Sequence, residues 1–266
     1  MQIFKNFFEL RRQFPQKINI ILSIVGLIVI LIIWSLISGN LIPQTLLPSP
    51  LSVLASFKEL YLPDDYLVDN ALRSIKLNLL GYVLATIIAL PIGFIIGLFG
   101  VFRGIFGNYI NAIRFIPLTA TVGLFIAWFG IEDMMKVQFL AFGIFVYLLP
   151  VVIQRIDEVE KVYVDTVYTL GATKWQTIKS VFIPNVLSRV SDDIRVLVAI
   201  SWTYIIVAEL VNKQGGLGDL AYTSARQSRI DKVFAVLIVI ICIGLLQDRL
   251  FAGLDRLFFP YKHKKD

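Results

Sequence analysis

Charge is scarce in this chain. Asp, Glu, Lys and Arg make up 17% of its 266 residues, against roughly 25% in a soluble domain. The single cysteine, Cys242, lies in an apolar run and excludes an internal disulfide. The single histidine, His263, sits in the basic tail KHKKD. Metal clusters and His-activated nucleophiles therefore have almost no material to be built from. No stretch has the form GxxxxGK[ST], so the chain carries no phosphate-cradling P-loop. The apolar runs do not alternate, which excludes membrane-spanning β-strands.

What is present is apolar: 57% of residues are hydrophobic, in several runs near 20 long. That is the length of a helix crossing hydrocarbon. The expected fold class is an all-α polytopic membrane protein with six transmembrane helices. Residues 1–17 form a basic leading segment. Residues 18–38 are uncharged and lack a following cleavage site, so they read as a retained span rather than a signal peptide. Residues 39–76 are an external interfacial segment, 77–250 a five-helix core and 251–266 a basic tail. The core spans are expected near 77–99, 109–129, 137–154, 193–211 and 233–247.

Several local signals sit on this frame. Ser49 and Pro50 open a short interfacial helix. The PDD run at 63–65 ends it, with Asp65 a candidate cap for the next helix. Gly81, Ala85, Ala89, Gly93 and Gly97 recur every four residues and give the second span a flat stripe. Such a stripe favours close helix packing, here within the chain rather than across a dimer. Pro91 marks a possible kink in the same span.

Six spans leave both termini on one side. Of the 25 Lys and Arg residues, 16 fall with the termini, the 100–108 loop and the 155–195 interval; 8 fall on the opposite side; and Arg114 stands inside a span. This bias puts both termini and the 155–190 interval in the cytoplasm. It also accounts for the net charge of +6 without nucleic acid.

The interval contains DTVYTLGATKWQTIKSVFIP at 165–184. Gly171 is placed to end one helix in the left-handed conformation. Thr173 and Gln176 form a capping-box pattern that opens a second. Pro184 stops or kinks that helix. Trp175 and Ile178 share a face. The expected product is a helix–turn–helix elbow.

Four other polar residues invite a role in a pathway. Arg114 is costly in hydrocarbon, although a place about five residues from the cytoplasmic end would let it snorkel. Thr119 and Thr121 lie two apart and cannot share a helix face. Glu209, near the outer end of span five, either lines a vestibule or pins the GGLG turn at 215–218.

The elbow resembles the EAA loop of permease subunits in ABC importers, whose pattern is EAA-x3-G-x9-I-x-LP. Here Asp165-Thr166-Val167 is followed after three residues by Gly171, and after nine more by Val181, Phe182, Ile183 and Pro184. The first three residues depart from the consensus. LLPSPLSVLASF, RFIP with AWFGI, and IIVAELVNKQGGLGDL resemble, in the same order, segments of the permeases for nitrate, sulfonate, taurine, bicarbonate and thiamine precursors. Gly123 stands where that group often has proline. The resemblance implies a type I importer fold and a function in uptake of a small anion-like nutrient. Two permease subunits, expected as a homodimer, form the pathway. An external binding protein delivers substrate. Cytoplasmic ATPase subunits bind ATP, so this chain is not an enzyme and holds no cofactor. The elbow becomes the ATPase-coupling helix, with Asp165, Gly171, Ala172, Thr173, Lys174, Trp175, Ile178 and Pro184 its candidate residues. Arg114, Thr119, Thr121 and Glu209 become candidates for the translocation pathway. The competing classes are a self-contained secondary transporter or channel, which needs mid-membrane charges on several spans, and a membrane scaffold.

Overall fold

A computed structural model of the chain describes residues 14–62, 65–211 and 214–262. Lys5, Arg11, Arg12, Pro63, Asp64, Lys213, His263, Lys264 and Lys265, which entered the charge and turn arguments, lie outside the described residues. The described chain is helical throughout: α1 Gln16–Ile37, α2 Pro50–Leu60, α3 Leu67–Leu98, α4 Gly100–Ile113, α5 Leu118–Phe129, α6 Asp133–Asp157, α7 Lys161–Thr169, α8 Lys174–Val211, α9 Leu217–Arg226 and α10 Ile230–Phe258. A 3-10 turn, Pro260–Lys262, closes it. Five helices are long and apolar enough to cross a membrane, and α4 with α5 makes a sixth, broken crossing.

The centre of the bundle is the pair α3 and α6. The glycine stripe explains their contact. A Cβ on Gly81 would stand 2.8 Å from Leu140, and one on Gly93 would stand 2.6 Å from Val152. Distances this short force a shift, so only glycine admits these branched side chains. Ala85 and Ala89 between them are fully buried. The stripe thus seats a helix of the same chain. In lipid such contact counts, because association rests on packing rather than on escape from water. Gly81 faces Leu140, and twelve residues on Gly93 faces Val152, so α3 and α6 run parallel. The chain must therefore cross back between them, through α4 and α5.

That crossing corrects the expected single span at 109–129. Helices α4 and α5 meet at a bend of 106°. Pro117 supplies no N–H and disfavours helical geometry at Ile116, so the ladder breaks at 114–117. Gly123, where relatives of the group often carry proline, lies inside uninterrupted α5.

Other boundaries differ from expectation. Helix α3 starts ten residues before the anticipated span. Its N-cap is Tyr66, at φ 46° and without a side-chain cap, rather than Asp65. Asp65 instead pairs with Lys232 at 2.5 Å. Ser49 does cap α2, accepting from the Ser52 N–H at 3.2 Å. Pro184 does not stop its helix: α8 continues to Val211. A π-helical turn over Ile178–Phe182 absorbs the proline, with the Ile183 N–H donating five residues back to Ile178. Helix α10 extends eleven residues past the expected end of span six, to Phe258.

Helix α8 runs antiparallel to α3. The Tyr82 hydroxyl donates to the Ile194 carbonyl, the Asn78 amide donates to Ser201 at 3.0 Å, and the Ser74 hydroxyl donates to Glu209 at 2.6 Å. Each step outward on α3 is a step forward on α8. The bundle therefore has two ends, one holding Glu209 and the other the 155–190 interval. Helix α1 stands apart with no buried residue. It touches the rest through Trp34, whose indole N–H donates to the Pro48 carbonyl at 3.0 Å and whose ring lies 5.6 Å from that of Phe234.

Candidate functional site: an exposed elbow and a buried polar end

The elbow is built from backbone geometry. Leu170 caps α7, and Gly171 follows at φ +83°. The Gly171 N–H donates to the Tyr168 carbonyl at 2.9 Å and the Ala172 N–H to the Val167 carbonyl at 3.0 Å. Together these form a complete Schellman closure, which needs a residue tolerant of positive φ. Thr173 then accepts from the Gln176 N–H at 3.3 Å, while the Thr173 N–H donates to the Gln176 side chain at 2.8 Å. This is the expected capping box, and such a cap contributes about 1 kcal/mol.

The surface this geometry presents is apolar. Leu170 is 81% exposed, Trp175 69% and Tyr168 47%. No residue of α7 is buried. Val164 and Val167 turn half inward, whereas Tyr168 faces out. Asp165, Lys174 and Pro184 are exposed; Ala172 and Ile178 are half-buried. Thr177, not singled out by the sequence, is the buried residue that ties the short helix down, its hydroxyl donating to the Thr173 carbonyl at 3.0 Å.

The helices that flank the elbow are held together by charge. Arg155 clasps Asp193 of α8 through two N–H groups, each at 2.7 Å, and pairs with Glu158 at 2.5 Å. The Arg155 guanidinium, with help from Gln154, holds the Glu158 carboxyl below its ordinary pKa. From the far terminus, Tyr261 donates to the Pro184 carbonyl at 2.9 Å and Lys262 pairs with Asp192 at 2.7 Å. Both contacts fall just beyond the π turn.

The opposite end is closed. Glu209 is fully buried and accepts from Ser74 and, at 2.8 Å, from the Gly218 N–H. The Ser74 hydroxyl in turn accepts from the Leu217 N–H at 2.9 Å, and Asn70 accepts from the Gly216 N–H at 2.7 Å. Gly215 and Gly216 have φ of +84° and +106°. Lys136 is fully buried beside the same turn, 3.5 Å from the Gly215 carbonyl and 3.7 Å from Asp133, which also pairs with Arg73 at 2.9 Å. Glu209 thus holds the GGLG turn from inside. Lys136 and Ser74 belong to this buried network and were not singled out by the sequence; a lysine at the start of an apolar span was the available signal.

The remaining pathway candidates are not brought together with Glu209. Arg114 caps α4 at the break and is exposed. It lies between the level of Ile110, which clusters with Ile96, Leu149 and Ile153, and that of Leu118, beside Gly143. Thr119 is exposed, and Thr121 is half-buried with its hydroxyl donating to the Leu118 carbonyl at 2.7 Å.

Comparison with known proteins gives this arrangement a family. Residues 89–259 match the binding-protein-dependent transport system inner membrane component. A putative aliphatic sulfonates transport permease of Bacillus subtilis is 30% identical over 239 residues, covering 88% of this chain and 85% of that protein. The taurine transport system permease of Escherichia coli is 26% identical over 258 residues, covering 95% and 94%. Among solved structures, a chain of the inward-facing MetNI methionine ABC transporter superposes with a TM-score of 0.60 over 72% of this chain and 95% of that one; at 17% identity this is a likeness of fold. A self-contained carrier, a channel and a scaffold fall away with these matches. The chain is a multi-pass membrane permease subunit and belongs to the family of inner membrane components of binding-protein-dependent transport systems.

Proposed function

We propose that two copies of this chain form the translocation pathway of an ATP-driven importer for a small oxyanion nutrient, of the sulfonate, taurine, nitrate or bicarbonate kind. An external binding protein delivers the solute. Separate ATPase subunits bind ATP and seat the elbow, which with both termini lies in the cytoplasm. The observation that carries this reading is the elbow surface: Leu170, Trp175 and Tyr168 stand uncovered on a rigidly capped turn. A large aromatic on a fixed backbone is an anchor for a partner's groove. The Lys and Arg bias supports the sidedness, and the relatives named for sulfonates and taurine support the substrate class.

The test is reconstitution. The tagged chain is purified with its associated subunits and placed in proteoliposomes. Labelled taurine, ethanesulfonate, nitrate or bicarbonate, supplied with binding protein outside, is expected to accumulate only with ATP inside. Accumulation without ATP, or a purified chain with no ATPase subunit attached, contradicts the reading.

A further inference from the structure

The broken crossing of α4 and α5 holds two charges, Arg103 at its start, paired with Asp157, and Arg114 at the break between the helices, and packing brackets the depth of the second. Ile110, a turn before it, clusters with Ile96 of α3 and with Leu149 and Ile153 of α6. Leu118, a turn after it, meets the Gly143 site, where an added Cβ would stand 3.5 Å from the Leu118 side chain. Arg114 is therefore level with residues 143–149 of α6, whose ends are Asp133 and Asp157. At least eight residues of helix, or roughly 12 Å, separate that level from Asp157, and at least ten, or roughly 15 Å, from Asp133. Snorkelling does not reach so far.

Other arginines of the bundle are paired: Arg73 with Asp133, Arg103 with Asp157, Arg155 with Asp193 and, at mid-bundle, Arg195 with Asp248. Arg114 has no carboxylate within ion-pair distance among the described residues. Its guanidinium lies over the Phe115 ring, 5.6 Å from the centroid, on an uncovered face of the chain. An unpaired cation at this depth is costly in hydrocarbon and calls for a polar cavity or a counter-charge.

A second polar feature lies at the same level. Tyr147 is one turn from Gly143 on the same stripe of α6. The Tyr204 ring packs at Gly143, 3.0 Å from an added Cβ, and its hydroxyl donates to the Tyr147 hydroxyl at 3.4 Å. Both tyrosines are half-buried, and the pair leaves the Tyr147 proton free to donate.

We propose that Arg114, with the Tyr147 hydroxyl at its depth, is the charge-selecting station of the pathway, receiving the oxyanion head of the substrate. This rests on the permease reading above and names the residues that discriminate. A guanidinium stays ionised at any working pH and offers two parallel N–H groups that match two oxygens of a sulfonate, nitrate or bicarbonate. A single exposed guanidinium also suits transit, where binding must permit entry without preventing release. A cation entering the same space meets like charge.

The experiment uses the whole importer in proteoliposomes, with labelled taurine and nitrate as probes. Arg114→Gln is expected to lower uptake at least about tenfold, while ATP hydrolysis stimulated by the binding protein stays within about twofold. Arg114→His supplies a readout that a packing role would not move. Its uptake relative to wild type is expected to be high near pH 5.5 and low near pH 8, as the imidazole loses its charge. Wild-type uptake by Arg114→Gln overturns the proposal. If that variant does not assemble, a flat pH ratio for Arg114→His overturns it. A wild-type importer that takes up neither anion but drives an uncharged or cationic solute with ATP overturns both this proposal and the oxyanion reading, and leaves the permease assignment standing.

Discussion

The two ends of this bundle solve opposite problems. At the Glu209 end, every buried polar group is answered from within the chain: the carboxylate takes Ser74 and the Gly218 N–H, and Ser74 takes the Leu217 N–H. At the elbow end, capping fixes the backbone equally well, yet the side chains it presents are left uncovered. Rigid backbone with satisfied side chains is a finished structure. On the function proposed above, rigid backbone with uncovered apolar side chains is half of an interface, and the contrast separates residues that hold this chain together from residues offered to another.

That contrast can be broken or sharpened by substitution. The largest effect on stability is expected at Glu209. Glu209→Ala strands the Gly218 N–H and Ser74 in the interior and leaves buried Lys136 with Asp133 as its neighbouring carboxylate. The cost is expected to be about 3 kcal/mol, read as a lowered unfolding midpoint of the purified chain in detergent. An unchanged midpoint would mean that the network is not closed as described. Next comes Trp175→Ala, which is expected to weaken ATPase association by about 2 kcal/mol, or roughly thirtyfold, with the unfolding midpoint unmoved. A fall in stability without loss of association would reverse the comparison. Gly171→Ala forces a side chain into φ +83°. It is expected to cost about 1 kcal/mol of local stability, seen as faster amide exchange confined to 165–180. The smallest effect is expected at the surface of the Glu209 end. Arg229 donates to Glu59 and holds its pKa below the ordinary 4.5, and the carboxylate is exposed. Because the folded value is depressed, this contribution is present above about pH 4.5 and fades as pH falls through the lowered value. Glu59→Gln should therefore match wild type at low pH and differ slightly at pH 7, by thermal melting.

Much of this was legible in the sequence because it rests on local chemistry. The Ser49 cap, the Gly171 closure and the Thr173–Gln176 box depend on residues within a few positions of each other. The glycine stripe could be read as a packing face, since four-residue spacing is one side of a helix, although its partner could not be named. Proline misled in two ways. At Pro117 the chain breaks into a 106° bend that apolarity alone conceals. At Pro184 the helix survives, because a π turn takes up the missing hydrogen bond. Local sequence states that a proline must be accommodated, whereas packing decides how. Long-range burial was equally hidden. Lys136 reads as part of a charged turn until α9 folds over it, and Arg114 reads as interfacial until α6 fixes its depth.

The elbow as a docking surface is tested most directly by crosslinking. A photoreactive side chain is placed at position 175 of the full importer in native membranes, with a second at position 210, beside Glu209, for comparison. The expected result is an adduct with the ATPase subunit from position 175 and none from position 210. An ATPase adduct from position 210, or none from position 175 in a complex that still hydrolyses ATP, would contradict it.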